Sequence, residues 1–407
     1  MYIPVLTGST SSGRLHHPTL PHRPNPGSES MDKQNFNFFL WRSVICTWMI
    51  LSPVSLSGET WTQKAIIPGG VRDDAVGFSI GNKGFVGTGY HHGLWYAYQD
   101  FWEWDPLTDI WTQKADFTGG LRYGAVGFSI GNKGYIGTGA SPTLRKDFWE
   151  YDPTLNSWTQ KTDFGGTARA FAFGFSIGSK GYIGTGSITG GANGCVADFW
   201  EWESDTTSPN YNTWLQKSSF PGTIRYGAVG LAIGTKSYVG TGAAPGDIPL
   251  GDFWEWDQPT DTWTQKAAFG GGARFGAAGF ALNGLGYIGT GHNGVNKKDL
   301  WAWDPATNTW TQRQDLGGFQ RSNATGFSIG NRGYIGMGFF FTWSANDFWE
   351  YCDTCTAVGV EETMLKQMKV WYDNDHHQLK IESSQTVPSL LMSVYNLTGS
   401  LSMKKEI

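Results

Sequence analysis

Small and large residues alternate in six segments of the chain, and a glycine-rich turn follows each segment. In the copy that begins at Gly124, residues 125, 127 and 129 are small, while residues 126, 128 and 130 are large and apolar. A period of two places alternate side chains on opposite faces of a β-strand. The GNKG that follows supplies the Asn and Gly of a tight hairpin turn. The pattern therefore predicts six antiparallel strand pairs.

Two further strand-like segments complete each repeat of about 50 residues. One resembles DFWEW and begins at Asp100, Asp147, Asp198, Asp252, Asp299 and Asp347. The other resembles WTQK and begins at Trp61, Trp111, Trp158, Trp214, Trp263 and Trp310. Four strands in a repeat of this length are typical of a propeller blade. We name them strands a to d, from the axis outward, and predict an all-β, six-bladed β-propeller.

The two ends of the repeat region predict how the ring closes. The region begins with a d strand at residues 61–64 and ends with a c strand at residues 348–351. The last blade therefore lacks its own d strand, and the first d strand lacks a blade. Pairing the two removes both exposed sheet edges, so we expect the N-terminal strand to complete blade 6.

The repeats have a recognisable local signature. A Trp follows a D-P-x-T turn, as at Asp105 and Trp111, and a GTG stands at residues 137–139. Over residues 61–351 the repeats resemble kelch motifs, the family that includes the propeller of galactose oxidase and the six-bladed sialic-acid mutarotases. The Trp after the turn is retained from that motif, whereas the GTG replaces its usual glycine pair. The resemblance implies the propeller fold. It does not imply one function, because this fold hosts enzymes, lectins and scaffolds.

Composition agrees with this picture and excludes one class of ligand. The chain has 57 Gly and 21 Trp, as expected for many tight turns and many buried flat side chains. Its net charge of −5 and the absence of a basic run argue against nucleic acid as a partner.

The N-terminal residues read as an export signal. We interpret residues 1–30 as a disordered extension and residues 31–58 as a secretory signal peptide. Lys33 and Arg42 precede an apolar stretch, and small residues follow it up to Gly58. The alternative is a short membrane anchor, but the stretch is too short for a confident membrane span. We expect a bacterial protein that is secreted or held at the cell surface.

After the propeller, taken as residues 59–357, a tail of residues 358–407 predicts short strands. Its second half resembles the C-terminal sorting domain of proteins exported by the type IX secretion machinery, although residues 373–375 depart from the usual proline-flanked Asn. The alternative is a small appendage that packs on the propeller.

The b–c loops are the variable part of an otherwise constant frame. The interval from each WTQK tryptophan to the next arginine is always 11 residues, whereas the b–c loops differ in length. Rigid frames with variable loops commonly carry binding sites. The first loop holds Tyr90, His91, His92, Trp95, Tyr96 and Tyr98, and the last holds Phe339, Phe340, Phe341 and Trp343. Blades 1 and 6 become neighbours on closure, so this aromatic cluster either binds a sugar or protein or merely covers the seam.

Charged residues on the same face offer a second candidate site. The d–a loops carry one arginine each: Arg72, Arg122, Arg169, Arg225, Arg274 and Arg321. They form either an anion-binding ring or six structural pairs with the DFW aspartates. Next to them, Tyr123, Phe171, Tyr226 and Phe275 are expected to crowd the channel mouth, where blade 1 has Asp73 and Asp74 instead. That acidic pair is an acid, a metal ligand or a solvated loop.

Cysteine and histidine predict little chemistry. Cys352 and Cys355 fall at the c–d turn position of the last blade, and a local disulfide suits an exported protein better than zinc. Cys195 is predicted on the opposite face. His91, His92 and His292 are too few for a galactose-oxidase-like copper site, so we expect no bound metal and no cofactor.

The sequence favours a secreted or surface-attached binding module, with a carbohydrate or protein ligand on the b–c face, over an enzyme. One alternative is a sugar mutarotase or epimerase, which would need an acid or base at the channel mouth. The other is a purely structural surface module.

Overall fold

The computed structural model describes residues 57–356, 368–373, 378–383, 391–395 and 401–406. Residues 57–356 form six four-stranded antiparallel sheets, and no helix occurs among the described residues. The a strand of each sheet contacts the a strands of the sheets before and after it, and the sixth contacts the first. The six sheets are therefore the blades of a closed β-propeller, as predicted.

The strands a to d of the blades have the following bounds. They are Val76–Ile80, Lys83–Gly87, Phe101–Asp105 and Ile110–Lys114 in blade 1; Val126–Ile130, Lys133–Gly137, Phe148–Asp152 and Ser157–Lys161 in blade 2; Phe173–Ile177, Lys180–Gly184, Phe199–Glu203 and Trp214–Lys217 in blade 3; Val229–Ile233, Lys236–Gly240, Phe253–Asp257 and Thr262–Lys266 in blade 4; Ala278–Leu282, Leu285–Gly289, Leu300–Asp304 and Thr309–Arg313 in blade 5; and Thr325–Ile329, Arg332–Gly336, Phe348–Thr356 and Ser57–Lys64 in blade 6. In the tail, Met368–Asp373 pairs with Gln378–Ser383, and Leu391–Tyr395 pairs with Leu401–Glu406.

The alternation of strand a is explained by how neighbouring blades pack. Its large side chains, such as Val126 and Phe128, are buried between blades. Its small positions face the preceding blade at very short range: a Cβ added to Gly174 would lie 2.1 Å from Cγ1 of Val126. A glycine is required here by lack of space, and each core cluster accordingly draws residues from two adjacent blades.

The ring closes as the sequence predicts, but the two strands that pair are longer than the predicted residues 61–64 and 348–351. Ser57–Lys64 pairs antiparallel with Phe348–Thr356, and Trp61 lies opposite Tyr351. The c strand continues past Tyr351 because its partner comes from the start of the chain, so no c–d turn is needed there. The expected turn position of Cys352 and Cys355 is therefore corrected: both lie within the strand. The predicted signal-peptide boundary at residue 58 also falls inside the closing strand.

Two circles of backbone hydrogen bonds tie the blades together near the axis. In the inner circle, the N–H of each residue donates to the carbonyl of its counterpart in the preceding blade, at 2.7 to 3.1 Å; its members are Asp74, Gly124, Phe171, Gly227, Gly276 and Asn323. In the outer circle, the last glycine of each GTG-like segment donates to the carbonyl of the next blade's arginine, and Gly338 closes it by donating to Arg72.

Candidate functional site

Short hairpins in the b–c loops present the predicted aromatic residues. Tyr90–His91 pairs with Tyr96–Ala97 in blade 1, and Phe339–Phe340 pairs with Trp343–Ser344 in blade 6. Because neighbouring residues of a strand point to opposite sides, each hairpin divides its aromatic side chains into an inner set near the axis and an outer set. The aromatic cluster predicted from the sequence is thus split into several groups.

The two hairpins meet at the closure seam. The ring centroids of His92 and Phe339 lie 4.4 Å apart, and the backbone N–H of His92 donates to Oγ of Ser344 at 3.4 Å. Asp73, fully buried, joins both loops from below: its Oδ2 accepts a hydrogen bond from Ser344 Oγ at 2.6 Å and lies 2.7 Å from His92 Nδ1.

A continuous series of ring contacts encircles the channel mouth, and we call it the aromatic collar. Its half-buried members, in order around the axis, are Phe339, His92, Tyr90, Tyr123, Phe171, Tyr226, Phe275 and His292. Successive centroids are 4.4 to 6.1 Å apart. Asn296 closes the remaining gap, since its amide lies 2.9 Å from His292 Nδ1 and donates to the Phe339 carbonyl at 3.0 Å.

The floor of the mouth, inside the collar, is a cavity of about 160 Å³ lined by the inner hydrogen-bond circle. Three members of that circle are glycines, while Asp74, Phe171 and Asn323 take the same left-handed conformation at φ 53 to 58°. Asp74 is thus the carboxylate of the floor. Burial, the charge of Asp73 and a hydrogen bond with Asp73 together raise the pKa of Asp74 well above its usual value, against an opposing hydrogen bond with Asn323.

Two tyrosines of the collar, Tyr123 and Tyr226, have a raised pKa, and burial is the main cause in both. At Tyr226 the carboxylate of Asp247, to which the tyrosine hydroxyl donates, is the next cause. The charge of Asp74 is a lesser cause at both tyrosines.

Beside the mouth lies a larger cavity of about 430 Å³, here called the seam pocket. Phe275, Phe339 and Phe341 supply apolar walls, and His92 and His292 add polar rings. The amides and hydroxyl of Asn296, Gln320, Asn323 and Ser322 line the rest. Asn323 borders both this pocket and the floor, so the two cavities adjoin.

The other predicted aromatics lie on the outside. His91 and Tyr96 pack beside Tyr98, whose ring lies 4.0 Å from the Arg72 guanidinium. Phe340 and Trp343 pack with Phe319 around a separate outer pocket of about 370 Å³. Trp95 is 77% exposed.

The six arginines are structural neighbours of the site. Each is at most 1% exposed, donates two hydrogen bonds to its DFW aspartate, and donates another to a backbone carbonyl 16 residues further on. The pairs are Arg72–Asp100, Arg122–Asp147, Arg169–Asp198, Arg225–Asp252, Arg274–Asp299 and Arg321–Asp347. This geometry favours the structural interpretation over an anion-binding ring, because the guanidinium groups are enclosed and already paired.

Several residues of the site were missed by sequence reasoning. Phe319, Asn296 and Ser344 carry no signal of their own, because their roles depend on which blade lies beside them. Asn323 had a detectable signal: it occupies the position that is glycine in three other blades and Asp74 in blade 1.

The structure describes the side chains of Cys195 and Cys352. Cys195 is free and buried, and Cys352 is disulfide-bonded. The side chain of Cys355 lies outside the described residues, so the predicted Cys352–Cys355 pairing stays a prediction. Among the described side chains, no group of three or more His, Cys, Asp or Glu is placed to hold a metal ion. The part of the chain that the structure describes holds no helix long and apolar enough to cross a membrane.

Comparison with known proteins supports the fold alone. No protein-family profile matches the chain, and no curated protein matches it. Among solved structures, that of YjhT aligns with a TM-score of 0.59 at 15% identity, covering 79% of this chain and 99% of that chain.

Proposed function

We propose that this propeller is a carbohydrate-binding protein whose ligand lies in the seam pocket on the b–c face. The observation that carries the proposal is the composition of that pocket, which combines flat apolar rings with amide and hydroxyl groups. Sugars combine apolar faces that stack on aromatic rings with hydroxyls that pair with such planar amides. A rigid six-bladed frame would hold these groups in place before the ligand arrives.

A glycan-array screen of the full chain tests this proposal. Phe341 lines the pocket and is 66% exposed, so Phe341→Ala should leave the fold intact. It should weaken the affinity for any glycan bound by at least about tenfold, as expected when an aromatic anchor is removed.

Trp95→Ala is the matched control, because Trp95 is an exposed aromatic residue of the facing b–c loop that does not line the pocket. Equal losses in both variants would contradict the seam pocket as the site. Absence of binding to every glycan would contradict the carbohydrate proposal and leave a protein partner at the exposed outer aromatics, or a purely structural module.

One observation favours an enzyme as the second candidate. Asp74 lies at the mouth beside the seam pocket, and burial with the Asp73 contact raises its pKa, as suits a general acid for sugar ring opening. A mutarotase or epimerase would accelerate anomerisation of a reducing sugar, which NMR follows directly. Asp74→Asn should abolish that acceleration, and a rate equal to that of buffer would exclude this candidate.

We further propose export to the outside of a bacterial cell. Support comes from the signal-peptide pattern of residues 31–58 and the tail of residues 358–407. Fractionation of an expressing host should find the protein outside the cytoplasm. Deletion of residues 31–56, which keeps the closing strand Ser57–Lys64 whole, should retain it inside. Deletion of the tail should block surface delivery only in a host with type IX secretion machinery.

A further inference from the structure

The channel mouth combines two kinds of group that bind cations. The collar places six aromatic rings and two imidazoles around the axis, and the negative face of an aromatic ring attracts an ammonium group within about 6 Å. Asp74 lines the floor of the same mouth, and Asp73 lies fully buried next to it. Rings and carboxylates around one small cavity are the arrangement in which proteins recognise amines.

Few basic groups face the acidic pair within the described part of the chain. Among the described groups that face the pair, His92 is the one base, and it lies against Asp73 Oδ2. None of the described residues that line the floor or form the collar is Lys or Arg, and the nearby arginines are each engaged by an aspartate. Two carboxyl groups therefore share at most one imidazole.

Asp73 also has an unused acceptor. Its Oδ1 is buried and has no hydrogen-bond partner among the described residues, while Oδ2 has two. A buried acceptor without a donor is unfavourable. A proton held on Asp74 would supply that donor in the free protein, and the contact with Asp73 is one cause of the raised pKa of Asp74.

We infer that the mouth binds the protonated amino group of an amino sugar, with the sugar ring in the adjoining seam pocket. The floor cavity of about 160 Å³ suits a small head group, and the shared border at Asn323 lets one ligand reach both cavities. On binding, the Asp74 proton would pass to solvent, and the ammonium group would donate to the resulting carboxylate and lie within the collar. This inference rests on the proposed carbohydrate function and adds the chemical class of the sugar.

Three monosaccharides that differ only at carbon 2 test the inference: glucosamine, N-acetylglucosamine and glucose. Their dissociation constants for the full chain are measured by ligand titration in NMR. We expect glucosamine to bind at least about tenfold more tightly than either of the others. The acetamido group of N-acetylglucosamine and the hydroxyl group of glucose at carbon 2 carry no positive charge.

Asp74→Asn is the diagnostic variant, since Asn tolerates the left-handed backbone of position 74. It should reduce the affinity for glucosamine to about that for N-acetylglucosamine and leave the affinity for the two neutral sugars unchanged. Asp163→Asn is the matched control: it removes the same charge from an exposed side chain outside the collar and floor, and the preference for glucosamine should persist.

The outcomes separate the two proposals. Equal binding of all three sugars, lost in Phe341→Ala, would overturn the amine inference and leave the carbohydrate function standing. A preference for glucosamine that survives in Asp74→Asn would overturn the assignment of the ammonium to the floor. No binding of any of the three would overturn the amino-sugar inference, while the glycan array decides the broader proposal separately.

Discussion

At the scale of single residues, the interaction that recurs in every blade is an ion pair between a buried arginine and a half-buried aspartate. In Arg225, for example, Nη1 and Nη2 donate to Asp252 at 2.7 and 2.6 Å, and Nη1 also donates to the Thr241 carbonyl. The same aspartate accepts from Nε1 of Trp254 at 2.7 Å. One ion pair thus joins the d–a loop, the end of strand b and the start of strand c. Bidentate geometry of this kind is specific to arginine.

Removing one arginine should be far more damaging than removing a surface charge. Arg225→Ala leaves Asp252 enclosed without its partner, so we expect the free energy of unfolding to fall by about 3–5 kcal/mol. Lys298→Ala is the control, since its pair with Asp315 is largely exposed at 3.9 Å and should contribute less than about 1 kcal/mol. Urea denaturation measures both, and similar losses would contradict the structural importance of the pair.

The aspartates of these pairs predict acid sensitivity. Burial alone would raise the pKa of Asp252, but hydrogen bonding and charge from Arg225, with the Trp254 N–H, outweigh it and hold the pKa below its usual value. The same holds for Asp147, Asp198, Asp299 and Asp347. A carboxyl group whose pKa falls on folding stabilises the protein when the pH is above the pKa of that group in the unfolded chain, about 3.9. This contribution is lost as the pH falls through the lower pKa that the group has in the folded protein.

We therefore expect the melting temperature to fall steeply below about pH 4. Circular dichroism melts between pH 6 and pH 2 measure this, and Asp252→Asn should show a shallower decline because one titrating group is gone. A melting temperature that stays constant down to pH 2 would contradict the prediction.

At the scale of elements, the innermost strands are matched in pairs between blades. The large residue of one a strand occupies the space that the glycine of the next leaves free, as Val126 does at Gly174. This contact fixes how closely two blades approach, because protein interiors are close-packed.

A double-mutant cycle tests the match. Gly174→Ala should destabilise the protein by about 1–3 kcal/mol through overpacking against Val126. Val126→Ala should also destabilise it, by leaving a void. In the double variant the new methyl group occupies part of that void, so the combined loss measured by urea denaturation should be smaller than the sum of the two. Strict additivity would mean that the two residues do not compete for space.

The elements also show what the sequence could predict. Strand positions, blade number and the closing strand follow from a repeat that is strong and regular. The division of Phe339 from Phe340, and of Tyr90 from His91, did not follow, because two-residue strands inside loops leave no periodic signal. The contact of Asp73 with Ser344, 271 positions apart, exists only once the ring is closed. The prediction of a turn at Cys352 was wrong, because the strand that pairs with this segment is Ser57–Lys64 and no turn has to connect the two.

At the scale of the whole molecule, the ring depends on one strand from the N-terminal side. Without Ser57–Lys64, strand c of blade 6 would become an unpaired edge with free N–H and carbonyl groups. Such edges pair with other chains. The closing strand therefore protects the propeller from association as well as stabilising it.

Removing residues 1–64 should lower the melting temperature and produce concentration-dependent association, measured by sedimentation velocity. A synthetic peptide of residues 57–64 should restore the monomer by occupying the edge. The same peptide with Pro at positions 61 and 62 should not restore the monomer, because proline has no backbone N–H to donate to the edge strand at those two positions. A monomer of unchanged stability without the strand would show that blade 6 does not need it.

The inner circle of hydrogen bonds has an electrostatic consequence. Every residue in it uses its own N–H toward one neighbour and its own carbonyl toward the other, so the peptide dipoles follow one another head to tail around the axis. Over a closed loop such dipoles largely cancel, whereas in a helix they add. The entrance consequently offers neither a positive nor a negative backbone pole to an approaching ion. The field that the ion meets is set by side chains, and it changes with the protonation of Asp74, the one carboxyl group in the circle.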